Sequence, residues 1–433
     1  MSPFFFGFVG ILLLFVFLLT SMPVAFAMLS AGAIGFGLIV SPYAALSMAV
    51  MDLLESILSY NLTVIPLFVL MGQMAFHSGI SSGLFRAAYA WIGHLPGGLA
   101  MATVGACTGF GAICGSGPAT AATMAAVAMP EMRRYQYSEA LAGGVVAAGG
   151  SLGMLIPPSV VFIVYALLTE QSIGELFIAG IVPGLFIALL FCISIGVRCK
   201  RNPLLGPPGP RVPWKERFIS LGGIIEMLIL FAVVMGGMFL GFFTAIEAAA
   251  VGAAGSLVIA LCKRTLSLPV LKKVMQETVR TSCMVLFIVT TASIFGRFLA
   301  VSQIPFTVAS WFSALPLPGF IIMLLIILFF LVAGCFIDAL ALVLLTVPIF
   351  FPVVRRLGYD PVWFGVMIVV VTQMSVITPP VGVNVYVVSG MERDIPLQTI
   401  FRGSVPFLVM LIVAAGVLLA FPKMCLFLPY IGR

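Results

Sequence analysis

Residues 149–161 read GGSLGMLIPPSVV, and residues 371–383 read VTQMSVITPPVGV. Each double proline falls midway through an apolar segment, about 139–168 and 361–390, long enough to cross a bilayer. Proline has no backbone N–H, and its ring clashes with the preceding turn, costing about 3 kcal/mol or more inside a helix. In hydrocarbon no water satisfies the carbonyls set free, so such breaks persist only where protein or a cavity meets them. Pro157-Pro158 and Pro379-Pro380 therefore mark two membrane helices interrupted near their middles.

The rest of the chain agrees with a lipid setting. Of 433 residues, 62% are apolar and 8% charged, with a mean hydropathy of +1.25, whereas soluble domains carry about 25% charged residues. The net charge of +7 reads as the excess of lysine and arginine on cytoplasmic loops, not as a nucleic-acid surface. Fourteen acids and two histidines leave little material for a membrane enzyme. Both histidines lie outside the polar breaks, and no Ser/His or paired-Asp constellation is present. The eight cysteines form no CxxC and mostly sit in apolar runs, as expected for buried thiols acting as small hydrophobes.

Full crossings are expected at about 4–20, 23–41, 58–78, 176–197, 218–240, 244–262, 281–303 and 399–422. Two runs, about 96–130 and 316–354, are nearly twice a span long and carry polar midpoints, GSGPAT at 115–120 and GCFIDA at 334–339. Each reads as a helical hairpin. The basic loops at 198–217 and 263–273 are expected to be cytoplasmic. Counting outward from them puts Arg133-Arg134 inside, with Arg355, Arg356, Lys423, Arg433 and both termini outside. Residues 80–95 are expected to lie in the membrane plane.

Sliding the chain by 222 positions lays Pro130 on Pro352, Arg133-Arg134 on Arg355-Arg356, Tyr137 on Tyr359, and Pro157-Pro158 on Pro379-Pro380, without a gap over 29 residues. This is an internal duplication, and the side-counting opposes its two copies. The fold class is an all-α polytopic membrane protein of inverted repeats, each holding a hairpin and a broken helix. Secondary transporters use this arrangement, lining ion and substrate sites with half-helix ends. Gly115-Ser116-Gly117 and Gly149–Gly153 in one copy, and Gly334–Asp338 and Thr372–Thr378 in the other, offer hard oxygens suited to a cation such as Na⁺.

Several polar residues stand out further. Asp338 is the one acid between Pro316 and Val354, and intramembrane carboxylates are functional by default; a turn residue in water is the alternative. Thr244-x-x-Glu247 fits a capping box, leaving Glu247 between a structural and a functional role. Arg297 either pairs with a carboxylate or extends to the headgroups. Asn384, six residues past Thr378, is polar within a half-helix and is a candidate to face substrate.

Taken together, GSGPATAATMAAVAMPEM (115–132), IPPS with SIGELFIAGIVPG (156–184), and GCFIDALALVLLTVPI…ITPP (334–380) resemble the large membrane (M, DctM-type) subunit of tripartite ATP-independent periplasmic, or TRAP, transporters. The likeness runs along nearly the whole chain, although the family more often has Pro-Thr-Glu where this chain reads TAIE. The resemblance implies a transport domain moving against a scaffold like an elevator. It implies a first sodium site with Gly115, Ser116, the Gly149–Gly153 break and Pro157, and a second with Gly334, Asp338, Thr372, the Met374 carbonyl and Thr378. It also ties Ser172 to transport. The implied domains are 1–95 scaffold and arm, 96–175 first transport repeat, 176–303 central scaffold, 304–398 second transport repeat, and 399–433 a last scaffold helix. The implied partners are a separate small four-helix membrane subunit, a periplasmic substrate-binding protein and an organic anion, carboxylate or sulfonate. The expected location is a bacterial or archaeal inner membrane. The expected function is sodium-coupled symport, with an ion channel as the alternative from another class.

Overall fold

The computed structural model describes residues 3–20, 22–314 and 316–431, and Arg433 lies outside them. The first half of the chain forms α1 (Pro3–Leu19), α2 (Val24–Ile39), α3 (Pro42–Leu58), α4 (Val64–His77), α5 (Ile80–Ile92), α6 (Gly98–Cys114), α7 (Gly117–Arg134), α8 (Glu139–Ser151), α9 (Val160–Thr169) and α10 (Ile173–Arg201). After a short α11 (Trp214–Ser220) come α12 (Gly222–Phe239), α13 (Ala245–Cys262), α14 (Leu268–Ser302), α15 (Ile304–Ala314), α16 (Gly319–Gly334), α17 (Ala339–Arg356), α18 (Pro361–Ser375), α19 (Val383–Met391), α20 (Leu397–Ala420) and α21 (Lys423–Ile431). Among the described residues six helices, with α11 and α12 counted as one, are long and apolar enough to cross a membrane, and the bent pair α3–α4 makes a seventh.

The duplication covers far more of the fold than of the sequence. A shift of 222 positions lays α7 and α8 on the starts of α17 and α18. It lays α1, α2, α5, α6, α9 and α10 on α12, α13, α15, α16, α19 and α20 with starts within three residues. Helices α11 and α21 have no counterpart at this shift, and the α3–α4 pair departs from it informatively. Helices α3 and α4 bend by 57° at residues 58–60, whereas their counterpart is the single 35-residue α14. Pro66 stands in the first turn of α4 where α14 has Ile288; lacking an N–H, proline suits a first turn and not a helix interior. Helix α3, the long start of α14 and the short α15 are additions to the spans expected from hydropathy.

The two copies run in opposite directions. Arg133, just before α8, pairs with Glu392 at 2.7 Å and with Asp394 at 3.7 Å, both just past the end of α19. Tyr165, near the end of α9, donates its hydroxyl to the carbonyl of Pro361 at the start of α18, at 2.6 Å. The beginning of each broken helix therefore lies beside the end of the other. Because Arg133 is 43% and Glu392 15% exposed, solvent weakens their attraction. Arg133→Gln and Glu392→Gln should each lower thermal stability in detergent by about 1 kcal/mol, and the double variant should lose little more than either. Additive losses would mean that the two side chains act independently.

Packing groups the helices into two bodies. Helix α2 lies on α14, and their counterparts α13 and α4 lie on each other; α1 and α12 flank this body. In the other body α8 is gripped by α7 and α20, α9 packs on α17, α19 on α7, and α10 on α20, α6 and α18. Helices α10 and α20, within the ranges 176–303 and 399–433 expected as scaffold, thus pack on the hairpin helices and on α8. Glycine explains the difference. A carbon added at Gly144 would collide with the Gly403 backbone, and one added at Gly143 would lie 2.9 Å from Ile400. Without side chains there, α8 and α20 meet backbone to backbone.

Apolar residues such as Phe8, Leu12, Leu228, Ile229, Leu324 and Leu328 face outward, as a lipid-facing surface requires. All eight cysteines are free. Cys262 and Cys283 are exposed, contrary to the expectation of buried thiols, because each sits on an outward face of α13 or α14.

Candidate functional site

Each hairpin tip is stitched to the broken helix of its own copy. Helix α6 ends at Gly115, whose φ of +65° is the left-handed region that glycine tolerates and branched residues do not. The chain then turns through Ser116 into α7. Across from it, α8 passes through a tight turn at Leu152–Met154, then Pro157-Pro158, before α9 begins. Ser159 caps α9, accepting from Phe162 N–H at 3.4 Å. The N–H of Val160 reaches the Gly115 carbonyl at 3.4 Å. The peptide bonds joining the paired prolines are both cis.

This stitching gathers oxygens around two glycines. A carbon added at Gly115 would lie 2.5 Å from the Pro158 carbonyl oxygen. One added at Gly153 would lie 2.6 Å from Thr120 Oγ1 and 3.0 Å from the Ser116 carbonyl oxygen. Carbonyl and hydroxyl oxygens crowd both glycines so closely that no side chain fits there. Hard oxygens without thiolate or imidazole suit an alkali or alkaline-earth cation. Among the described residues no group of His, Cys, Asp and Glu could hold a transition metal.

The second copy repeats the design with different side chains. Val381 N–H reaches the Cys335 carbonyl at 3.3 Å, joining tip to break. A carbon added at Gly334 would lie 2.6 Å from Ser375 Cβ, so the tip sits directly on the end of α18. Around the break the hydroxyls of Thr372, Ser375 and Thr378 donate to the carbonyls of Val369, Thr372 and Met374 at 2.6–2.8 Å. Each hydroxyl is thus spent as a donor to the carbonyl of its own helix. Asp338 starts α17, accepting from Leu340 N–H at 3.1 Å, and no salt bridge engages it among the described residues. Asn384 is fully buried and donates to the Ala147 carbonyl at 2.9 Å, tying the second break to α8 of the first copy.

Both tips and both breaks meet at one cavity of about 690 Å³. Ser116, Gly117 and Met154 come from the first copy, and Asp338, Ala339 and Val376 from the second; α2, α4 and α14 form the opposite wall. Helices α7, α9 and α17 begin at or beside this wall, so their N-terminal amides and positive dipole ends turn toward it. Among the described residues no lysine, arginine or histidine lines it. A negatively charged guest would meet helix N-terminal amides there.

The remaining candidates occupy other places. Pro157 lies in the first break, while Gly149 is inside α8, where an added carbon would lie 2.9 Å from Cys107 Sγ; its part is helix packing. Arg297 pairs with Asp52 at 2.8 Å and reaches Glu55 at 3.5 Å on α3, away from the cavity. Ser172 caps α10, accepting from Glu175 N–H at 3.3 Å. It lines a second cavity of about 540 Å³ between the α9–α10 and α12–α13 corners. Glu247 adjoins that corner, its carboxylate accepting from both the N–H and the hydroxyl of Thr244 at 2.8 Å. Thr244→Ala should therefore cost about 1 kcal/mol of stability while leaving any cation dependence unchanged, as thermal melts and uptake can read separately. Gln73, Thr281 and Met154 line the main cavity without having been singled out in the sequence. A lone glutamine in the apolar run FVLMGQMAF was the available signal for the first.

Comparison with known proteins bears on this architecture. Residues 11–424 match the family described as "Tripartite ATP-independent periplasmic transporter, DctM component". The chain is similar to the C4-dicarboxylate TRAP transporter large permease protein DctM of Pseudomonas aeruginosa, with 38% identity over 90% of this chain and 91% of that one. It is also similar to the sialic acid TRAP transporter large permease protein SiaM of Vibrio cholerae, with 34% identity over 98% and 97%. Among solved structures, the Alcanivorax borkumensis YdaH transporter shares the fold, with a TM-score of 0.58 at 18% identity over 83% of this chain and 85% of that one.

Proposed function

The chain belongs to the tripartite ATP-independent periplasmic transporter family as a DctM component, and we propose that it is the translocating subunit of a sodium-coupled symporter for a small organic anion. One observation carries this reading: two opposed hairpin tips and two opposed helix breaks line a single cavity. In the first copy main-chain and hydroxyl oxygens stand beside Gly115 and Gly153, and in the second the Ser375 hydroxyl stands beside Gly334. Na⁺ held at the two nooks supplies positive charge in a cavity whose wall has none. The carboxylate or sulfonate of the substrate then rests on helix N-terminal amides next to those ions. Neither ion nor anion is comfortable alone in this setting, because an unpaired charge away from water is costly; coupling follows from that mutual need.

The hairpin body, α6–α10 with α16–α20, moves as the elevator against the body of α1–α4 and α12–α14, with the in-plane α5 and α15 as connecting arms. The basic loop after α10 faces the cytoplasm and both termini face the periplasm of an inner membrane. A small four-helix membrane subunit completes the scaffold, and a soluble periplasmic protein delivers the substrate.

The test is uptake into vesicles containing both membrane subunits, with the binding protein and its ligand outside. An inward sodium gradient should drive accumulation, and potassium or choline in its place should abolish it. Equal uptake without sodium would overturn the coupling. Ionic current without substrate or binding protein would point to a conductance pathway instead.

A further inference from the structure

We propose that α11 and the loop before it form a binding surface for anionic phospholipid headgroups. Residues 198–217 carry Arg198, Lys200, Arg201, Arg211, Lys215 and Arg217 against the single acid Glu216. Lys200, Arg201, Arg211 and Lys215 are exposed, and none of them enters a salt bridge among the described residues. Nη1 of Arg198 is buried without a hydrogen-bond partner. A run of uncompensated cations this close to the end of a membrane helix attracts an acidic leaflet.

Charge alone would fit any hydrated basic loop; the apolar residues set this one apart. Trp214, Phe218 and Ile219 of α11 are 60–66% exposed, and Leu204 in the loop is 85% exposed. Aromatic and aliphatic side chains beside lysine and arginine at the end of a membrane helix are the composition found at the headgroup boundary. Elsewhere exposed rings have fewer cations beside them, as Trp311 and Phe306 of α15 have Arg355 and Arg356. The counterpart of this loop, the segment following α20, offers Lys423 as its one basic residue among those described.

The surface is also held rigidly. Trp91 of α5 meets the Trp214 and Phe218 rings edge-on at 6.3 and 5.7 Å and donates to the Arg217 carbonyl at 3.2 Å. The Arg217 guanidinium lies over Trp214 at 4.9 Å. Upstream, the Leu205 and Gly206 carbonyls accept from Ser138 and Gly97 N–H groups at 3.0 and 2.9 Å, and Gly209 N–H donates to Gly93 at 2.9 Å. Tyr137 donates to the Pro207 carbonyl at 3.0 Å. The loop is thus strapped to both the α5–α6 and the α7–α8 corners, so a bound headgroup would fix the arm that joins the two bodies.

Native mass spectrometry of the full chain, released from bilayers of mixed phosphatidylglycerol and phosphatidylcholine, tests the proposal without any transport assay. Phosphatidylglycerol should be retained in preference. The triple variant Arg201→Gln/Arg211→Gln/Lys215→Gln should weaken that retention by roughly fivefold per charge removed. Lys272→Gln/Lys273→Gln, a pair on the exposed start of α14, should leave it unchanged. Should the triple variant fail to fold, Trp214→Ser, which removes one anchoring ring and no charge, should shorten lipid retention in its place. Equal retention of the two lipids by the unaltered protein would overturn the proposal. So would an equal loss in the Lys272/Lys273 pair, since that marks a diffuse charge effect.

Discussion

Asp338→Asn is expected to cut sodium-driven uptake by roughly 30- to 150-fold. That range corresponds to the roughly 2–3 kcal/mol typical of an interaction with an ionised group. The substitution keeps the side chain's size and its ability to accept from Leu340 N–H, which caps α17 at 3.1 Å. What it removes is the negative charge on the wall of the main cavity. Uptake should become sodium-independent or vanish, while the melting temperature without sodium changes little. If instead sodium dependence persists with the same half-saturation, Asp338 is only a helix cap. The first copy has no acid at the equivalent tip, where Ser116 stands. Ser116→Ala should therefore act more mildly, since that nook relies on main-chain oxygens.

Gly403→Ala should be the most damaging substitution for the fold. Its added carbon would overlap the Ala140 carbonyl oxygen of α8, and that oxygen belongs to a helix backbone with no freedom to swing aside. Overpacking typically costs about 1–3 kcal/mol, and a backbone collision lies at the upper end. Melting in detergent should drop sharply and folded yield should fall. Gly416, in the same helix, has nothing within 4 Å of an added carbon. Gly416→Ala should be neutral or stabilise by up to about 1 kcal/mol, because alanine loses less backbone entropy in a helix. Equal melting of the two variants would contradict the account of how α20 grips α8. A separated α8 would also shift the first break, whose oxygens depend on where Gly149–Gly153 lie.

The breaks and hairpins were legible in the sequence because proline and glycine act on their own backbone. Double prolines stop a helix wherever it packs, and Gly115 ends α6 through its own φ. The extent of the duplication was hidden. Outside 29 residues the two copies share only an apolar pattern, and helices can coincide in space without sharing residues. The α3–α4 bend illustrates the limit, since the chain turns extended at Ser59 where α14 runs on unbroken through Thr281. Membership of α10 and α20 in the hairpin body was equally hidden, because it rests on Gly143, Gly144 and Gly403 meeting across the fold. Arg297 could be paired with a carboxylate in principle, but choosing Asp52, 245 positions away, needed the tertiary packing of α3 on α14. The cavity wall supplied by α2 and α4 had no local signature beyond Gln73.

The account stands on cations held by oxygens at both breaks. Direct binding of radioactive sodium to the purified protein, without substrate, measures this. The expected result is saturable binding with two components, one removed by Asp338→Asn and the other by Gly153→Val, whose side chain would fill the nook beside Thr120 and Ser116. Sodium binding that is absent, or that survives both substitutions unchanged, would contradict it.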